Sequence, residues 1–152
     1  MKTVIAIASA AVLTFATVAP AAAYHLEPKS TSFTGTGNTS ATKNGITLPC
    51  KAKFQGHVDS NGIGFVDSGS FTGQVGCTSV GLGGLPWKSV AKSATKVIIT
   101  NVSFTSPIGN CGPGNLPVKI IDGKIRFKDV PLAGGCTVTG VIATSPALSI
   151  QP

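Results

Sequence analysis

Carboxylates are scarce in this 152-residue chain: Glu27, Asp59, Asp67, Asp122 and Asp129 stand against 12 Lys and Arg. A glycosidase needs two carboxylates facing one bond, and no spacing here brings a pair together. Asp59 and Asp122 sit in or beside turns, where Asp serves the backbone. No C-x2-C pair occurs, which argues against a zinc site, and no G-x-S-x-G elbow marks a nucleophile. After residue 23 helical periodicity is absent, and no segment nears the about 20 apolar residues of a transmembrane helix. The cations are mostly single and alternate with apolar residues, without the clustering and interleaved aromatics of a nucleic-acid surface. No catalytic residue, cofactor, metal or nucleic-acid partner is expected.

The start of the chain locates its work. Lys2 precedes an apolar run from Val4 to Val18, and Pro20-Ala21-Ala22-Ala23 ends in the small residues that a signal peptidase accepts. Residues 1–23 read as a secretory signal peptide, to be left out of the fold. The mature chain from Tyr24 is then secreted or surface-attached and of a size for one core. Cleavage after Tyr24 instead would make His25 the amino terminus, where with a second His such as His57 it could hold copper as in the histidine brace of lytic polysaccharide monooxygenases. Ala23 satisfies the small-residue rule better.

Four cysteines, Cys50, Cys77, Cys111 and Cys136, form an even count in an exported chain, which favours disulfides. A faint repeat chooses among the three connectivities. Cys50 is followed by Asn61-Gly62, Ile63, Phe65, Gly73 and Cys77; Cys111 by Asp122-Gly123, Ile125, Phe127, Gly134 and Cys136. Both units run cysteine, strand, turn, strand, cysteine. The expected bridges are Cys50 to Cys77 and Cys111 to Cys136, each contributing roughly 3 kcal/mol in the chain-entropy model.

Period-two alternation dominates the remainder. Cys50, Ala52, Phe54, Gly56 and Val58 share one face, with Lys51, Lys53, Gln55, His57 and Asp59 opposite. Ser60-Asn61-Gly62 turns the chain towards Ile63 and Phe65. Ile98, Thr100, Val102 and Phe104 line a further strand, Asp122-Gly123 makes a hairpin, and Cys136, Val138, Gly140 and Ile142 share another inner face. Gly81 to Pro86 is too glycine-rich for a strand interior and reads as a connection. A short strand closes the chain at Ala147 to Ile150. About eight short strands predict an all-β antiparallel sandwich or barrel with two disulfides. Residues 24–49 lack strong patterning and read as an N-terminal arm or edge strand before a disulfide-stapled domain over 50–152.

Two surfaces are candidates for function. Leu85 and Trp87 could form an exposed apolar anchor for hydrocarbon, lipid or sugar, although a single Trp more often plugs the core. Lys51, Lys53, Lys119, Lys124, Arg126 and Lys128 could form an anion-binding face, or merely protect sheet edges from pairing. The counter-charges available outside a cell are anionic envelope lipid and polysaccharide. His57 and Asp59 could form an orienting pair, or a solvated His beside a turn Asp. The arm before Cys50 and the last strand could each be donated to another copy, so self-association is a further expectation.

At Leu82-Gly83-Gly84-Leu85-Pro86-Trp87-Lys88, Asn101-Val102-Ser103-Phe104, Asn110-Cys111-Gly112-Pro113-Gly114 and Leu132-Ala133-Gly134-Gly135-Cys136-Thr137-Val138, the chain resembles the small exported bacterial protein-like activators of alkane oxidation. The similarity runs roughly from Cys50 to Pro152 and includes Ser145-Pro146-Ala147-Leu148. The resemblance implies a secreted, non-enzymatic protein associated with growth on long-chain alkanes and with biofilm or surface attachment. It brings no catalytic residue set. The function it implies is accessory, by binding or surface activity where hydrocarbon meets the cell; a biofilm adhesin or fibre subunit is the alternative, and a copper oxidase or hydrolase the remote one.

Overall fold

The computed structural model describes residues 23–152; the signal peptide read over 1–23 lies, except for Ala23, outside the described residues. The alternation around Cys50 to Val58 becomes half of a 13-residue strand, with the odd-face cations turned out and Cys50, Ala52, Gly56 and Val58 buried. Seven more strands of the same kind complete a ring. In chain order the elements are β1 (His25–Glu27), β2 (Thr31–Lys43), β3 (Ile46–Val58), β4 (Gly64–Gly73), β5 (Gly81–Gly83), β6 (Trp87–Ala91), β7 (Lys96–Ser106), β8 (Gly109–Ile121), β9 (Lys124–Leu132), β10 (Cys136–Ser145) and β11 (Ser149–Gln151). Strands β2, β3, β4, β6, β7, β8, β9 and β10 pair antiparallel in sequence, and β10 returns to β2. This is an eight-stranded up-and-down barrel, the closed form of the expected architecture, and closure removes the free edges of the sheet.

The two ends of the barrel differ. At the base, β1 and β11 pair with each other, and Leu26 N–H donates to Gly62 O at 2.9 Å. Leu26 and Leu148 are each 2% exposed there. The opposite end carries both disulfides, Cys50–Cys77 and Cys111–Cys136, as the repeat predicts. The first holds the segment after β4, with its single 3-10 turn at Cys77–Ser79, against Leu48. The second ties the start of β8 to the start of β10, across the end of β9.

Several local expectations change. The segment read as an arm or edge strand contains β2, paired with β3 along one side and β10 along the other. The boundary placed at Cys50 falls inside β3. Strand β2 is thus not free to be donated, and β11 is paired with β1. The glycine-rich connection holds β5, whose Gly81–Gly83 pair with Ser103–Thr105 of β7 in line with β6. On β7 the inward residues are Val97, Ile99, Val102 and Phe104, not Ile98 and Thr100. The register shifts between Ile99 and Val102, where Asn101 has φ 59°, and a bulge of this kind reverses which face each residue takes. Phe65 points outward and stacks on His57 with ring centroids 5.0 Å apart; Val66 is the residue packed against the core.

Polar residues alternate outward on β2, at Ser32, Thr34, Thr36 and Asn38, and cations on β3. A membrane-spanning barrel has the opposite pattern, apolar outside and polar within. No helix among the described residues is long and apolar enough to cross a membrane.

Candidate functional site

Inward side chains fill the base and leave space above it. One cavity of 60 Å³ is lined by Phe33, Val66, Ile99, Ile125 and Ile142, and another of 80 Å³ nearer the disulfide end by Ala41, Leu48, Phe71, Leu82, Phe104 and Val138. Phe54, Trp87, Leu116 and Phe127 line both and separate them. Each is several times the roughly 10–15 Å³ that admits a water, and an apolar cavity of this sort stays dry or takes an apolar guest. Hydroxyl groups line only the upper chamber, at Thr39, Ser40 and Ser106. Thr39 Oγ1 donates to Cys50 O at 3.1 Å and Ser106 Oγ to Gly109 O at 3.0 Å, so both are already satisfied by the wall.

The two halves of the apolar anchor part company. Trp87 faces the lumen, 5% exposed, with Nε1 donating to Gly83 O at 2.7 Å. It offers no surface to the outside and instead forms part of the partition between the chambers. Leu85 lies at the surface, 36% exposed. The other exposed large apolar residues, Tyr24, Ile46, Val75, Ile121 and Val141, are spread over both ends and the wall.

The cations divide as well. Lys119 on β8 faces Lys96 on one side and Arg126 on the other, residue for residue. Lys124, Arg126 and Lys128 point outward along β9. Lys51 and Lys53 stand apart on β3, with β2 and β10 between them and β9. Lys96 completes the row but escaped the sequence reading, because nothing in the order of residues reveals which strand lies beside Lys119. Like charges directly opposite on neighbouring strands oppose sheet pairing. Among the described residues the carboxylates paired with basic side chains are Glu27, with His25 and Lys29, and Asp67, with His57, and none of these contacts reaches this row.

Beside the row the barrel wall is incomplete. The β8–β9 ladder holds three pairs, Lys119 with Arg126, Ile120 with Ile125 and Ile121 with Lys124, although the strands are 13 and 9 residues long. Beyond Lys119 they separate and meet again where Gly112 N–H donates to Ala133 O at 2.7 Å. Pro113, Pro117 and Pro131 lie in the separated stretch and have no N–H to give a ladder. A groove of 640 Å³ runs over this place, lined by Pro117, Val118, Phe127 and Val130 and rimmed by Lys96, Lys119, Arg126 and Lys128. Phe127 therefore lines the outer groove and both inner chambers. Gly140 on β10 makes room for its ring, since a Cβ there would stand 2.4 Å from Phe127 Cζ.

The histidines serve the wall. Asp59 Oδ1 accepts from Asn61 N–H and Ile63 N–H, both at 2.9 Å, which is the turn role expected of it. His57 pairs instead with Asp67, Nδ1 to Oδ2 at 2.7 Å. His25 Nε2 lies 3.0 Å from Glu27 Oε1. Among the described residues no three His, Cys, Asp or Glu side chains gather where a metal ion could be held.

Fold and site together define a disulfide-stapled up-and-down barrel with an apolar lumen and a cationic groove on its wall. The chain belongs to the PraA/PraB-like alkane oxidation protein activator family, whose model matches residues 1–152. No curated protein and no solved structure matches it.

Proposed function

We propose that this protein is an exported, non-catalytic accessory of alkane oxidation that acts by enclosing a stretch of linear hydrocarbon in its barrel. The family links the chain to alkane oxidation. The observation that carries the reading is the pair of apolar chambers separated only by Phe54, Trp87, Leu116 and Phe127. An alkane has no polar group to recognise, so a dry apolar space is the site its chemistry calls for, and chambers of 60 and 80 Å³ take a few methylenes each, with a longer stretch requiring the partition between them to move. Dispersed exposed apolar residues give less support to adsorption through an outer patch, which needs contiguous area.

Co-elution tests this. The purified exported protein is equilibrated with radiolabelled hexadecane and passed through a sizing column, beside an Ala41→Phe variant that fills the upper chamber. Retention of about one chain per protein, lost in Ala41→Phe, is the expected result. Equal retention by both proteins would place the hydrocarbon outside the lumen, and no retention would end the binding reading.

A further inference from the structure

We propose that the parted wall between β8 and β9 is a side entrance for a linear alkyl chain bearing one anionic head, of the long-chain carboxylate class. The tail passes Phe127 into the lumen and the head stays on Lys119 and Arg126. This rests on the lumen reading above.

Three observations meet at one place. Between Lys119–Arg126 and Gly112–Ala133 the wall has no ladder pairs, so apolar side chains close it instead of backbone hydrogen bonds. Phe127 lies in the floor of the groove and in the lining of both chambers, so moving one ring connects outside to inside. The rim carries Lys96, Lys119, Arg126 and Lys128, with the first three in direct cross-strand register. The nearest carboxylate along β9, Asp129, accepts from Thr139 Oγ1 at 3.3 Å across the strands and forms no ion pair with the row among the described residues.

Such an arrangement fits an amphiphile better than a neutral chain. Facing cations raise the local potential, and a carboxylate placed between Lys119 and Arg126 relieves it through charge-assisted hydrogen bonds. Arg offers two parallel N–H groups to one carboxylate. The tail has only to continue inward. An extended polyanion would use the cations but leave Phe127 and the lumen unengaged.

The test compares ligands with one tail and different heads. Binding of hexadecanoate, hexadecane and hexadecyltrimethylammonium is followed through Trp87 fluorescence, in the parent protein and in Lys119→Gln/Arg126→Gln. Both substitutions are on the outer face and remove a repulsion, so the fold is kept. Hexadecanoate should bind about tenfold or more tightly than the cationic amphiphile, and the double variant should erase that preference while leaving hexadecane unchanged. Hexadecane should compete with hexadecanoate. Binding of all three ligands with no effect of the double variant would overturn the head site and leave the lumen reading standing. Hexadecanoate binding that hexadecane cannot displace would overturn the passage of the tail inward. Failure of every ligand would remove the lumen reading itself. Sedimentation with anionic vesicles, without binding of free hexadecanoate, would assign the cations to a membrane surface and overturn the proposal.

Discussion

Truncating Trp87 to Ala separates an interior role from a surface one. The indole is 5% exposed, donates to Gly83 O at 2.7 Å and stands 6.5 Å from the Phe54 ring at a tilt of 51°. Removing a large buried side chain between two existing cavities leaves little that can collapse into the space, and the cost is about 3–5 kcal/mol. The Gly83 carbonyl also loses its partner, which adds to the cost wherever water cannot replace it. With a urea m-value of about 2 kcal/mol per molar, the unfolding midpoint falls by about 2 M. Trp87→Phe keeps a ring in the partition and should lose only about 1–2 kcal/mol, mainly through the orphaned carbonyl. Both are followed by far-ultraviolet circular dichroism with disulfides intact, because Trp87→Ala and Trp87→Phe abolish the fluorescence signal. Hydrocarbon held in the lumen at about 100 times its Kd should return about 2.7 kcal/mol to the parent. An unchanged midpoint in Trp87→Ala would refute the interior placement. It would return the indole to an exposed contact, whose loss weakens adsorption to hexadecane and leaves stability alone.

Four further outcomes follow from the wall and the staples. Replacing Cys50 and Cys77 by Ala together should cost about 3 kcal/mol by loop entropy and leave Cys111–Cys136 oxidised, which unfolding and peptide mass mapping check. Gly140→Val places a branched side chain where even Cβ meets the Phe127 ring, and should cost about 1–3 kcal/mol in a thermal or urea melt. Lys119→Glu puts an anion between Lys96 and Arg126; it should stabilise by about 0.5 kcal/mol at low salt, and the gain should shrink as salt is added. Amino-terminal sequencing of the exported product should begin at Tyr24, and a start at His25 would refute cleavage after Ala23.

What was legible in the sequence was the part governed by strict alternation. Cys50 to Val58 and Cys136 to Ile142 keep one face apolar along their length, and both are barrel strands with that face inward. Strand β2 was legible only as an arm or edge strand because its inward positions include Gly35, Gly37, Thr39 and Ala41, which give almost no hydrophobic signal. Gly35 is small because the space is already used, since a Cβ there would stand 2.8 Å from Ile142 Cγ2, whereas Thr39 and Ala41 border the upper chamber. Strand β7 misled in the opposite way, since its apolar residues continue through a bulge that exchanges the faces. Part of the candidate site was visible as residue types, at Trp87, Lys119, Lys124, Arg126 and Lys128. The chambers, the place of Lys96 and the separation of β8 from β9 depend on register between strands distant in sequence, which composition and periodicity do not encode.

Closing a sheet into a barrel solves one problem and creates another. Eight continuous ladders leave no edge to aggregate, but they also seal the lumen, and opening it then means breaking backbone hydrogen bonds in cooperative groups. In this chain the base is covered by the β1–β11 pair with Leu26 and Leu148 buried beneath it. The other end is held by two disulfides. The β4–β6 seam is held by three pairs, at Gly64–Val66, and between β8 and β9 two long strands likewise share just three paired positions before parting, here beside Phe127 and the cation row. The prolines that prevent a ladder there leave side chains to close the gap, and side chains change rotamer on far shorter timescales than strands separate. Passage past Phe127 therefore disturbs apolar contacts and leaves the remaining ladders whole. Entry through the side and stability of the ends are compatible for that reason, and the cations gathered at the same seam give a polar head a reason to stop where the tail goes in.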